Sequence, residues 1–339
     1  MQVCDVCVTG GGIIGLSIAL ELAGRGARVT VLERGKLLQE ASQAAAGMLA
    51  AEDPENPAEL ADLSAFSIAR YPQYLIEIER LAGLSVPFQT SLTYQACERA
   101  EVATLPAEML PGGSHFFRLE EHSIDPRQLA TALRAAVEAS AIHVVEDTAA
   151  HTVSESPGGV VIQTSGEEIH ANQVVFAMGA WSFAPVRPRK GQMLAVRMPE
   201  GAAFDYVVRT PEIYAVPRLH GPRAGQVVIG ATVEDAGFST TTDAASLASL
   251  RAMAAAFLPA LGDAARAPMV DQWAGLRPDT PDHLPLIGWA GESRRKIVAT
   301  GHYRNGILLA PGTAGVVVDL LEGREPGVDL AAFSPVRFA

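Results

Sequence analysis

Apolar positions change period several times along this chain, and each change marks an element. "VCDVCVT", Val3 to Thr9, is a β-branched-rich run that reads as a buried strand and stops at a glycine cluster. In "IIGLSIALELAGRG" the period becomes helical, with Ile14, Ile18 and Leu22 on one face and Gly26 as a left-handed end. "ARVTVLE" then reads as a second strand ending at Glu33. Further on, "DPRQLATALRAAVEAS" predicts a helix with Asp125 as N-cap and Pro126 at its first position. "AIHVVED", "HTVSES", "GVVIQTS" and "HANQVVFAMGAWS" predict short strands, turning at Pro157-Gly158-Gly159 and Ser165-Gly166. "GQMLAVRM", "IYAVPRL" and "QVVIGATVE" predict a second set of strands. Last come a strand "KIVAT", a loop "GHYRNG" and an apolar helix "ILLAPGTAGVVVDLLEG" ending at Gly323.

Composition sets the scale. The 339 residues are 48% hydrophobic and 19% charged, enough for two lobes with a large core. A formal charge of −12 argues against nucleic acid or an anionic membrane as partner, since both want a basic face. No stretch approaches the ~18 apolar residues of a membrane span. "AASLASLRAMAAAFLPALG" is the nearest, and its Arg and Pro make it an amphipathic helix instead. The first residues lack a secretory pattern and there are three cysteines, so the expected compartment is a reducing cytoplasm.

Cys4-Asp-Val-Cys7 spells C-x-x-C, a spacing used by redox dithiols and half zinc sites. Redox pairs sit at a helix N-terminus, whereas these lie on a strand. Residues three apart on a strand point to opposite faces, so the expectation is two buried apolar residues on different sides of a sheet, with no metal.

Gly10-Gly11-Gly12-Ile13-Ile14-Gly15 spells G-x-G-x-x-G between strand and helix, with the acid Glu33 closing the β-α-β unit. Gly10 permits the tight turn, Gly12 admits a pyrophosphate to the backbone, and Gly15 lets helix pack on strand. The helix N-terminus offers N–H groups and a positive dipole to phosphates. Glu33 would accept from ribose hydroxyls, which disfavours NADP. NAD and FAD stay open at this point. The small residues of "LLQEASQAAAGMLAAE" suit either the wall of a flat cofactor or an ordinary alanine-rich helix start. A second anion-binding device, the helix after "GHYRNG", lies about 300 residues away.

"GGGIIG…VLERG", "AAAGM", "YAVPR", "VVIGAT", "WAGLRP" and "GHYRNGILLAPGT" together resemble the glycine oxidases of thiamine biosynthesis, within the D-amino-acid oxidase family of FAD flavoproteins. The resemblance runs from the first strand to about Gly323, and its last two motifs are the specific ones. It implies an α/β (α+β) fold, a Rossmann-like FAD-binding domain interleaved with a smaller antiparallel-sheet substrate domain. The FAD-binding domain would take residues 1–86, 121–182 and 269–330, and the substrate domain 87–120 and 183–268. Ile13 and Ile14 would lie at the pyrophosphate turn, Glu33 and Arg34 at the adenosine ribose, and Ala150 at the adenine end. Ala41, Ser42, Ala46, Gly47 and Met48 would line the cofactor. His302, Tyr303, Arg304, Asn305, Gly306, Ile307 and Leu308 would wrap the flavin ring. Family members that attach FAD covalently use a C-terminal-half cysteine; none follows Cys97, so noncovalent FAD is expected.

On the substrate side, Arg277 matches the family's carboxylate-binding arginine, a planar fork suited to two oxygens. Without the match it could equally be a surface loop arginine. Arg304 matches a second arginine that closes on substrate, and Tyr214 a tyrosine whose hydroxyl contacts the carboxylate. Two positions depart from the pattern: Glu212 stands where related glycine oxidases carry histidine, and Val233 where they carry methionine. No acid or base is expected to be catalytic, because a neutral amine needs only positioning beside the flavin. The implied reaction is oxidation of glycine, a small D-amino acid or a secondary amine by oxygen, giving a 2-oxo acid, ammonia and hydrogen peroxide. Sarcosine-oxidase-like or D-amino-acid dehydrogenase activity, or the flavin subunit of a hetero-oligomer, are the alternatives, and homo-oligomerisation stays open.

Overall fold

A computed structural model describes residues 2–96, 108–109, 115–199, 201 and 204–338; Cys97 and much of the 87–120 segment lie outside these. Among the described residues, the first large sheet runs in the order Leu286–Trp289, Lys296–Thr300, Ile169–Phe176, Gln2–Thr9, Val29–Leu32, His143–Val145. All of these pair in parallel except Leu286–Trp289, which is antiparallel to its neighbour. The hairpin of Ala150–Ser156 and Gly159–Thr164 extends the sheet from Ile169–Phe176.

The glycine cluster ends the first strand, and helix Ile13–Gly24 begins at once. This helix and the C-terminal helix Gly306–Leu321 pack together in one core cluster containing Ile14, Leu16, Ile18, Ile307, Leu308 and Val317. Pro311 inside the C-terminal helix cannot donate to the Ile307 carbonyl, and the hydroxyl of Tyr71 donates to that carbonyl at 2.5 Å instead. Ser67 completes the repair: its hydroxyl donates to Leu308 O at 2.6 Å and accepts the Gly312 N–H at 2.9 Å. Both residues belong to helix Ala61–Ala82, which thereby fixes the first turn of the C-terminal helix.

Cys4 and Cys7 are buried in the first strand, but not on opposite sides. Asp5 and Val6 both donate their N–H to the Arg28 carbonyl, at 2.8 and 3.3 Å, which breaks the regular alternation. The two thiols join one apolar cluster with Leu32, Val160 and Ile169. Burial pushes both thiols up, Cys7 farthest, so neither is a thiolate at neutral pH.

The second large sheet runs Met269–Asp279, Arg187–Arg197, Gln226–Gly230, Tyr214–Arg218, Val207–Arg209, Thr93–Ala96, His115–Leu119, Glu108–Met109. It is antiparallel except between Val207–Arg209 and Thr93–Ala96. Helix Ala244–Phe257 covers one face through Leu247, Leu250, Ala254 and Phe257. Its N-cap Asp243 accepts the Ser246 N–H at 2.8 Å. The expected domain boundary at residue 269 falls at the start of the strand Met269–Asp279. That strand pairs along its length with Arg187–Arg197, so the chain leaves this sheet only after Asp279. Among the described residues, no helix is long and apolar enough to cross a membrane.

Candidate active site

A cavity of about 390 Å³ lies between the two sheets, and a second of about 190 Å³ lies beside the glycine loop. Both are bounded by Gly12, Ala41, Ser42, Ala177 and Gly179, so they meet along one elongated groove.

The narrow end is built from backbone. Gly10 has φ +113°, and a Cβ there would sit 2.3 Å from Ala177 O. A Cβ on Gly15 would sit 2.0 Å from Gly10 O, so the first helix turn rests directly on the loop. A Cβ on Gly12 would meet Ser42 Oγ at 3.3 Å, closer than ordinary van der Waals contact. Ser42 also accepts the Ile13 N–H at 2.9 Å. Glu33 has an unexpected first duty. Its Oε2 accepts Gly11 N–H at 2.7 Å and its Oε1 accepts Gly35 N–H at 2.8 Å, tying the loop to the second strand. Each carboxylate oxygen keeps a second acceptor position at the edge of the smaller cavity. Arg34 and Ala150 line that cavity too, with the Arg34 guanidinium 3.6 Å over the Trp181 ring.

The small-residue run forms a wall. A four-residue helical turn, Ala41–Ala44, is followed by extended chain through Ala46, Gly47 and Met48 along the larger cavity. Trp273 Nε1 donates to Ala44 O at 2.9 Å, and Arg218 Nη2 donates to Ala46 O at 2.7 Å. Gly47 has φ +86°, and a Cβ there would lie 2.0 Å from Ile124 O. The composition "AAAGM" serves close approach on both sides.

From the C-terminal side, His302, Tyr303, Arg304, Asn305, Gly306 and Ile307 border the larger cavity. Leu308 does not: it is 1% exposed and turned into the core, because it lies on the helix face that packs on the first lobe. His302 Nε2 pairs with the Thr313 hydroxyl at 3.0 Å, and burial pushes its pKa down to about 3. It is therefore a neutral imidazole at ordinary pH. Tyr303 has φ +45° and stacks on His283 at 4.6 Å.

At the wide end, Arg277, Tyr214, Arg304, Glu212 and Val233 all border the same cavity. Arg277 Nη1 donates to Thr232 O at 3.1 Å. Its guanidinium passes over Gly191 so closely that a Cβ there would meet it at 2.4–2.6 Å. Gly230 likewise leaves room for the Tyr214 hydroxyl, which a Cβ would approach to 2.6 Å. Burial raises the Tyr214 phenol while the charges of Arg277 and Arg304 oppose it, and the hydroxyl remains a donor. Arg304 is exposed, its guanidinium 5.3 Å from the Tyr303 ring. Glu212 is exposed at the rim, accepting from Thr210 Oγ1 at 3.1 Å, and Val233 is half exposed.

Sequence reasoning missed Gly191 and Arg209 on these walls, and Gly230 behind Tyr214. The glycines carried a signal, since a glycine inside a strand pattern marks close approach. Arg209 carried none, because only the sheet register brings it to the cavity.

The FAD dependent oxidoreductase (DAO) family model matches residues 5–320. The chain is 35% identical over 98% of its length to the bifunctional protein ThiO/ThiG of Synechocystis sp., of which it spans about half, 54%. It is also 35% identical to a glycine oxidase of Pseudomonas aeruginosa, covering 97% of this chain and 98% of that one. The crystal structure of a glycine oxidase from Geobacillus kaustophilus superimposes with a TM-score of 0.90 at 30% identity, covering 99% of both chains. With a matching family model across most of its length and an unbroken groove behind it, the chain belongs to the FAD dependent oxidoreductase family.

Proposed function

We propose that this chain oxidises the amine of glycine, a small D-amino acid or a related secondary amine, with noncovalent FAD in the groove and oxygen as final acceptor. The observation that carries the reading is the meeting of two kinds of site in one groove. A dinucleotide loop occupies one end, and Arg277, Tyr214 and Arg304 gather at the other. The groove fits FAD by its own geometry: Gly12 with no side chain at the loop, a wall of small residues, and a helix N-terminus at each of two places along it. Neither described cysteine lies on the groove, which favours noncovalent binding.

FAD, when bound, supplies the two-electron acceptor. Arg277 holds the substrate carboxylate through its planar fork, and Tyr214 donates a hydroxyl hydrogen bond to it. Fixing the carboxylate fixes Cα, which is what a bond-breaking step at Cα requires. Neutral His302 keeps positive charge away from the amine and takes no proton at working pH. The substrate amine loses two electrons and two protons to become an imine, and water converts the imine to a 2-oxo acid and ammonia. Oxygen leaves as hydrogen peroxide.

The test is direct. Purified protein should show flavin absorbance that denaturation releases, and should yield peroxide from glycine, sarcosine or D-alanine. A yellow protein that stays oxidised anaerobically with every amine would overturn the reading.

A further inference from the structure

Arg277 and Arg304 border the same end of the cavity, and the strand that carries the first also fastens the loop that carries the second. Arg277 lies near the end of the strand Met269–Asp279, with Pro278 and Asp279 directly after it. Pro278 O accepts the Tyr303 N–H at 2.9 Å, just before Arg304. Just after Arg304, Asn305 Nδ2 donates to Asn56 Oδ1 at 2.9 Å. The loop is fastened on both sides, and what is left to set is the direction of the exposed Arg304 side chain.

Asp279 supplies a second link from the same strand. It is 3% exposed, and its two oxygens serve different partners. Oδ2 accepts from Arg189 Nε at 3.3 Å, and Oδ1 pairs with His283 Nδ1 at 2.6 Å. The His283 ring lies on the Tyr303 ring, with centroids 4.6 Å apart and planes 18° from parallel. The Arg304 guanidinium sits 5.3 Å from the centroid of that Tyr303 ring, within cation–π range. Both stacked residues hold left-handed backbone, φ +61° at His283 and +45° at Tyr303. Such backbone is costly outside glycine and persists where the surroundings fix it. Tyr303 and Arg304 border the cavity, whereas His283 and Asp279 stand behind them.

We propose that His283 is a positioning residue for Arg304. Tied to the Arg277 strand through Asp279, it holds the Tyr303 ring against which the Arg304 guanidinium rests. The stack thereby sets the spacing of the two arginines that take the substrate carboxylate. The inference rests on reading this cavity as an amine-oxidising site in which Arg304 engages that carboxylate, and its test separates the two.

Acetate is the probe for the carboxylate position, its binding to the oxidised holoenzyme read from the change in flavin absorbance. Arg304→Gln sets the scale and should weaken acetate about fivefold, the worth of one exposed charge-assisted contact. His283→Asn keeps a residue that tolerates left-handed backbone and removes the ring. It should weaken acetate about threefold and raise KM for glycine about as much, with kcat within about twofold. His283→Phe restores a flat ring without the hydrogen bond to Asp279 and should recover most of that loss. In the Arg304→Gln background, His283→Asn should cost nothing further, because both act through one contact.

Unchanged acetate binding in either single variant would overturn the proposal, as would a full further loss in the double variant. A residue that only braced the fold would lower the thermal midpoint and flavin occupancy, with acetate affinity and KM per loaded molecule unchanged. That result would also overturn it. Peroxide assays with glycine, sarcosine and D-alanine test the underlying reading separately. Peroxide from none of them would reject amine oxidation and leave the acetate series to decide whether His283 positions Arg304.

Discussion

The two ends of the groove recognise by different means. At the glycine loop the closest approaches are backbone to backbone, Gly10 against Ala177 and Gly15 against Gly10, and the spacing between chain segments is the recognition element. At the roof the contacts are long side chains projecting from a regular sheet, with glycines opposite to give them room. A change at the first end therefore disturbs the fold, and a change at the second disturbs chemistry on an intact fold. The largest expected effect lies in the loop. Gly15→Ala drives a methyl to 2.0 Å from Gly10 O, where no rotamer offers escape. It should cost about 3 kcal/mol or more in urea unfolding and give protein without flavin absorbance. Gly26→Ala is the control: φ is +87° but nothing lies within 4 Å, and the cost should be about 1 kcal/mol. Similar losses at both positions would show that contact is not what the loop glycine avoids.

At the roof the prediction inverts. Arg277→Lys keeps charge but loses the fork, and kcat/KM for glycine should fall about a hundredfold with the thermal midpoint nearly unchanged. Gly191→Ala acts on the same guanidinium from beneath, displacing it by its new Cβ. A fall of about tenfold in kcat/KM is expected, carried by KM as much as by kcat. If Gly191→Ala unfolds the protein while activity per folded molecule stays constant, the glycine serves the sheet and not the arginine.

The same contrast explains what could be read in advance. The loop was legible because its requirement is local: strand, G-x-G-x-x-G, helix and acid follow one another in sequence. Even there, the local reading missed that Glu33 spends its first two hydrogen bonds on Gly11 and Gly35. Arg277, Tyr214 and Arg304 were legible through family motifs alone, since their convergence joins segments that only sheet pairing brings together. Arg209 was invisible for that reason, sitting in an ordinary strand beside Tyr214 by register. The expectation for Cys4 and Cys7 failed on one local irregularity. Strict alternation assumes an unbroken ladder, and two N–H groups on the Arg28 carbonyl break it.

His302 lies between the two regimes, since it borders the cavity yet is locked by Thr313. Its pKa is pushed down to about 3 by burial, below the ordinary imidazole value of 6.5. Between those values the unfolded chain binds the extra proton and the folded one does not. Stability should then rise with pH through that window, and be lost on acidification, by several kcal/mol at about pH 3. His302→Asn should flatten the acid limb of a stability-versus-pH curve without adding a step to the pH profile of kcat. An unchanged acid limb would mean that His302 charges freely.

The smallest effect belongs to Glu212, which sets the rim of the roof and not its floor. Its carboxylate is exposed, with Thr210 as its hydrogen-bond partner, so water and salt screen its field. It still adds negative potential where a substrate amine or side chain enters, and Glu212→His removes it. The ratio of kcat/KM for a basic D-amino acid over glycine should drop about two- to threefold, and raising the ionic strength should shrink the difference. Sarcosine, which adds a methyl and no charge, should change least. A shift for sarcosine as large as for the basic substrate would mean that Glu212 acts by shape. Equal ratios before and after the substitution would place rim charge outside substrate choice, leaving selection to Arg277 and Tyr214 deeper in the cavity.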